Sequence, residues 1–127
     1  MMSGKLLLFG FDTLPSVLAV ESAAGPLGAE VVPIGRSDYN KTLAALAGLD
    51  EDPAAALPYA GGPLGERMMV LCGLEDRMDA LLPSLTRAGV GPECLKAVLT
   101  PHNRGWNVLR IHQELLRERQ AMEGNQK

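Results

Sequence analysis

Four short apolar runs, each closed by glycine or proline, constrain this chain more than any other feature. They are Leu6-Leu7-Leu8-Phe9 before Gly10, Glu30-Val31-Val32-Pro33-Ile34 before Gly35, Met68-Met69-Val70-Leu71-Cys72 before Gly73, and Leu95-Lys96-Ala97-Val98-Leu99 before Thr100-Pro101. Runs this short and continuous read as strands covered on both faces, the pattern of sheets with helices above and below. Between them apolar residues recur at helical spacing. Thr13 is placed to cap a first helix with Pro15 in its opening turn; it carries Leu14, Val17 and Leu18 and stops at Gly25-Pro26. Tyr39 to Leu49 reads as a shorter, Ala-rich helix. Glu75-Asp76 opens a third, with Met78, Leu81, Leu82 and Leu85 as its inward stripe and Gly89 as its stop. Trp106 to about Met122 is the longest, with Val108, Leu109, Ile111, His112, Leu115 and Leu116 inward.

The order strand, helix, strand, helix thus occurs twice. Shifting the chain by 63 residues lays Leu8-Phe9-Gly10-Phe11-Asp12 over Leu71-Cys72-Gly73-Leu74-Glu75, and four further residues bring Tyr39-Asn40 over Trp106-Asn107. The fold expected is α/β, a four-stranded mainly parallel sheet built from two β-α-β-α half-repeats, about 5–49 and 67–122, with the right-handed crossovers that parallel neighbours require. If every strand is parallel, the four strand exits share one edge, where open α/β sheets bind ligands. A ferredoxin-like α+β sandwich is the alternative. Asp50 to Glu66 joins the halves. At 17 residues and with Pro53, Pro58, Gly61-Gly62-Pro63 and Gly65, it is longer than most structureless connections, so it is a flap or an organised loop, with one helical turn expected at Ala54-Ala55-Ala56-Leu57. Glu123 to Lys127 is expected to fray.

With 127 residues the whole, 1–127, is one domain's worth of chain. Only two Phe, two Tyr and one Trp are present, so the core must be aliphatic. Four of the five rings, Phe9, Phe11, Tyr39 and Trp106, fall at strand exits. No stretch has the make-up of a secretion signal or the length of a membrane span, and two cysteines suit a reducing compartment, so a cytoplasmic location and no membrane partner are expected. Cys72, Cys94, His102 and His112 lack zinc-site spacing, and neither a metal nor a cofactor is expected. A net charge of −3 disfavours nucleic acid as a partner despite Arg104, Arg110, Arg117 and Arg119.

The segment Thr100-Pro101-His102-Asn103-Arg104-Gly105-Trp106, followed by an amphipathic helix and preceded by the Met69-Val70-Leu71-Cys72-Gly73 strand, resembles a family of short bacterial proteins catalogued as a domain of unknown function. Its pattern is Thr-Pro-x-Asn-x-x-Trp, and the resemblance covers mainly Arg67 to Met122. It implies no activity, and His102 falls in its spacer.

Several residues have chemistry to offer. Cys72 ends a strand ahead of a helix start, a place where thiol pKa can fall, and His102 and Asn103 lie in the loop after the neighbouring strand, a nucleophile, base and orienting amide in outline. A cysteine closing an apolar strand is more often buried filler, and its repeat partner is Phe9. Asp12 and Glu75 are repeat equivalents whose acidity suits helix starts as well as acid–base work. Gly61-Gly62-Pro63-Leu64-Gly65 lacks the Lys-Ser/Thr of a phosphate loop. Asn103, Arg104 and Trp106, with Asp12, are the residues expected to meet a small ligand. The function expected is a non-enzymatic binding or interaction module, a homo-oligomer or a small-molecule binder; the alternative is a small cysteine-dependent enzyme or redox protein using Cys72 with His102.

Overall fold

Alternating side chains of the two central strands face opposite sides, and both sides are buried. In the computed structural model, which describes residues 4–49 and 57–124, β1 (Gly4–Phe9) and β3 (Met68–Cys72) lie side by side at the middle of a four-stranded sheet ordered β2-β1-β3-β4. Leu6, Leu8, Met69 and Leu71 project into one apolar cluster; Leu7, Phe9, Met68, Val70 and Cys72 project into the other. The outer strands, β2 (Ala29–Ile34) and β4 (Leu95–Val98), hold the residues that suit an edge: Glu30, Pro33 and Lys96.

Four helices complete a three-layer arrangement. α1 (Leu14–Ala24) and α3 (Met78–Arg87) cover the first face, and α2 (Leu43–Leu46) and α4 (Val108–Gly124) the second. Thr13 caps α1, its Oγ1 accepting the Ser16 N–H. The inward side of α1 is Val17, Val20 and Ala24, whereas Leu14 and Leu18 turn outward, a correction to the stripe expected there. The third helix has the stripe expected, with Leu81 and Leu85 fully buried, and Gly89 ends it with φ +96°. The second helix is a single turn: Arg36–Asp38 forms a separate 3₁₀ turn, and Tyr39 lies outside the helix. Helical structure in α4 continues to Gly124, past the expected fraying point. The helical turn expected at 54–57 falls almost wholly outside the described residues. No described helix is long and apolar enough to cross a membrane.

The sheet is mostly parallel but not wholly so. β1 pairs parallel with β2 and β3 parallel with β4, while β1 and β3 run antiparallel, Lys5 opposite Cys72 and Phe9 opposite Met68. The path explains the reversal. From the exit of β2 the chain crosses the second face through α2, whose last turn accepts a bond from Lys5 Nζ at the start of β1 (2.9 Å to Ala47 O). Residues 57–66 then lie back at the exit of β2: Tyr59 N–H donates to Ser37 O at 3.0 Å, Asn40 Nδ2 to Leu57 O at 2.9 Å, and the Tyr59 ring meets Tyr39 at 5.5 Å. β3 therefore starts at the end where β1 and β2 finish. The strand exits consequently do not share one edge. Residues 10–13 and 35–40 lie at one end of the sheet, 73–76 and 99–106 at the other. Direct parallel pairing of β1 with β2, and helices on both faces, also set the fold apart from the ferredoxin-like alternative.

Candidate functional site

The chain leaving β4 turns on Asn103. Its Oδ1 accepts the Thr100 N–H at 2.9 Å and its Nδ2 donates to Val98 O at 3.0 Å, while its own N–H donates to Thr100 Oγ1 at 3.2 Å. Each of two residues three apart lends a side-chain oxygen to the other's backbone, the reciprocity of a capping box, with Pro101 fixing φ between them. Trp106 N–H then reaches Asn103 O at 2.9 Å and Arg104 N–H reaches Thr100 O at 3.0 Å. Only 8% of Asn103 is exposed. Its bonds go to backbone, so its amide shapes the loop.

The same loop holds the first half of the chain. Trp106 O accepts the Leu43 N–H at 2.9 Å and Arg104 O the Ala44 N–H at 3.0 Å, two donors that a helix start leaves without intrahelical partners. Thr42 caps α2 by accepting the Ala45 N–H at 3.2 Å. Thr42 also bridges to Asn107, whose Oδ1 accepts the Arg110 N–H at 3.0 Å and caps α4.

Trp106 comes out of this turn half-buried. His102 meets it edge-on at 5.2 Å between ring centroids, and the Arg110 guanidinium sits over its face at 4.3 Å. Through Thr100, Pro101 and Arg104 the same loop lines a cleft of about 220 Å³, with Leu49, Gly73 and Leu99 as its other walls; neither Asn103 nor Trp106 lines it. Three of its walls are apolar, Leu49, Leu99 and Pro101, and Arg104 brings a cation to it. Arg110, read from the sequence only as a basic position, meets Trp106 through their i, i+4 spacing.

Cys72 lies at the same end of the sheet. It is 7% exposed, facing the second apolar cluster, with Sγ 3.9 Å from Val70 O. Burial pushes its thiol up to about 11, and the nearby Lys5 charge offsets only part of that. The thiol is therefore protonated at neutral pH. His102 is exposed, and its ring contact is Trp106. Cys94 is buried too, and burial raises its pKa. No group of three His, Cys, Asp or Glu among the described residues is gathered closely enough to hold a metal ion.

Asp12 is at the opposite end, in a smaller cleft of about 70 Å³ that it shares with Arg36, Tyr39, Glu66 and Arg67. Of the four expected ligand residues, the structure thus gathers Asn103, Arg104 and Trp106 in one loop and places Asp12 apart. Behind that smaller cleft lies His112, 4% exposed, its Nε2 3.7 Å from Glu66 Oε1 and without a hydrogen-bond partner among the described residues. Burial lowers its pKa, outweighing the Glu66 backbone and carboxylate, which both pull it upward.

Residues 67–122, the segment from β3 through most of α4, match the family model of a domain of unknown function, DUF3783. No curated protein and no solved structure matches the chain.

Proposed function

We propose that this chain is a non-enzymatic binding module, and that its ligand surface is the 99–106 end of the sheet. The observation that carries the reading is the 220 Å³ cleft with Leu49, Leu99 and Pro101 as walls and Arg104 as its cation, on the loop that also carries Trp106 with its His102 and Arg110 contacts. How the reactive side chains are used supports it: the Cys72 thiol is buried and protonated, and the Asn103 amide is bonded to backbone. The ligand class that fits is a small carboxylic acid with a short apolar body. Because Trp106 is the single tryptophan of the chain, its fluorescence reports on this end alone. Titration with straight-chain acids from butyrate to octanoate is expected to give a saturable change that Arg104→Ala weakens and that the matching amines do not produce. No response to any acid, or an equal response to the amines, would sink the reading.

We infer also that the frame is one domain made of two half-repeats, 5–49 and 67–122, joined by the linker 50–66. The register supports this. The 63-residue shift sends Leu7 to Val70, and these two residues are direct partners in the sheet. On either side, Leu6 pairs with Leu71 and Leu8 with Met69. Each is the shifted copy of the other's neighbour, so a local two-fold axis through Leu7 and Val70 carries β1 onto β3. The parallel β1–β2 and β3–β4 pairs share this symmetry in direction, but Leu7 lies beside Val32 and Val70 beside Ala97, two residues beyond the 63-residue shift.

A further inference from the structure

The smaller cleft lies where the parallel strands β1 and β2 end, the crevice at which open α/β sheets take ligands. Its floor is rigid. Tyr39 is buried, its ring 6.1 Å from Phe9 and 5.5 Å from Tyr59, and burial together with the Asp12 charge raises its pKa, so it stays a neutral phenol. Pro63, Leu64 and Gly65 also line the cleft. Arg67 is pre-oriented, its guanidinium 4.8 Å over the Phe11 ring. Arg36 starts the 3₁₀ turn that leads to Tyr39. Among the described residues neither Arg36 nor Arg67 is in an ion pair, and Asp12 has none either. Glu66, the other carboxylate, has Oε1 directed at His112.

Arg36, Arg67 and Asp12 therefore line a space that admits a few heavy atoms, with the Arg67 guanidinium resting on Phe11 at its margin and Glu66 as a second carboxylate. A simple anion entering it would face Asp12, and a simple cation would face two arginines. A group carrying both charges a few ångströms apart meets an opposite charge on each side, where partial exclusion of water strengthens both attractions. We propose that this cleft binds the head group of a free α-amino acid, its carboxylate on Arg36 and Arg67 and its ammonium on Asp12, with the side chain directed out to solvent. This site is independent of the 99–106 end.

The test is titration of the full ¹⁵N-labelled chain with glycine and L-alanine, with acetate and methylamine as the two half-ligands. Saturable shifts are expected at the Gly10 and Gly65 amides with glycine and alanine. Each half-ligand is expected to bind at least about tenfold more weakly, since each forfeits the charge-assisted bonds of one side. Arg67→Ala and Asp12→Asn, both at exposed positions, are expected to weaken glycine binding by a similar factor with an unchanged circular dichroism spectrum. Trp106 fluorescence, at the far end of the sheet, stays silent throughout, so this outcome is read separately from that of the carboxylic-acid titration. Absence of saturable shifts with glycine overturns the proposal. Acetate or methylamine binding as tightly as glycine overturns it too, as does full retention of glycine binding in both variants.

Discussion

Replacing Asn103 by alanine removes two side-chain bonds to backbone, one accepted from Thr100 N–H at 2.9 Å and one donated to Val98 O at 3.0 Å. A buried hydrogen bond of this kind contributes about 0.5–1.5 kcal/mol net, and a partner left unpaired costs more if water cannot reach it. Val98 and Thr100 are both half-buried, so water relieves part of that penalty. The expected loss is about 2–3 kcal/mol, a large share of the roughly 5–15 kcal/mol that holds a typical domain together. For a chain of this size that is a fall in melting temperature of about 10 °C. Urea denaturation followed by Trp106 fluorescence and by far-ultraviolet dichroism measures it. The variant is also expected to lose amide-exchange protection at Leu43 and Ala44, because the loop that Asn103 shapes supplies their acceptors. Asn103→Asp keeps the oxygen that Thr100 binds but sets a second acceptor against Val98 O at a buried position, so it is not expected to restore the parent's stability. An Asn103→Ala protein within about 0.5 kcal/mol of the parent, with Leu43 and Ala44 still protected, refutes the assignment of Asn103 as the organiser of this loop.

Cys72 is expected to resist alkylation at neutral pH until the protein unfolds, as judged by mass spectrometry across a urea series. Its thiol is held protonated from its ordinary 9.0 up to about 11, so stability is full below pH 9 and declines by about 2–3 kcal/mol as pH rises to 11; a flat profile there contradicts the burial argument. His112 titrates in the opposite sense. Its folded pKa lies below the ordinary 6.5, so the unfolded chain takes up the proton first, and stability is full above that value and falls as pH drops through it. His112→Gln is expected to flatten that acid limb in denaturant melts between pH 7 and 5. Thr42→Ala removes the cap of α2 and is expected to cost about 1 kcal/mol, with Ala45 the amide that loses protection.

Local elements were readable because their causes are local. Continuous apolar runs mark the two central strands, Thr13 and Pro15 start α1, and the Leu81–Leu85 stripe seats α3. Strand direction was not readable. It depends on where the chain goes between Leu49 and Arg67, and a Pro- and Gly-rich stretch has no periodicity to show that. The edge position of β2 did leave a mark in Pro33, a residue that a central strand excludes. Leu14 and Leu18 misled because an apolar helix offers no contrast between its sides; the neighbour, α3, decides which side turns in. The Thr100–Trp106 segment was readable as a unit, but composition cannot say that Asn103 spends its amide on Val98 and Thr100. Arg36, Tyr39 and Arg67 meet only through the fold, since they come from two halves of the chain.

The antiparallel contact between β1 and β3 has a consequence for the segment 67–122 taken alone. Cut free of β1, that segment presents the backbone of Met68–Cys72 as an unpaired edge, flanked by the apolar side chains of Met69 and Leu71 on one face and Val70 on the other. Such an edge recruits a strand. Since β1 lies antiparallel to β3 with Leu7 opposite Val70, a second β3, antiparallel and centred on Val70, is a strand able to fill the gap. The excised segment is therefore expected to run as a symmetric dimer in sedimentation, whereas the full chain has already satisfied that contact within itself.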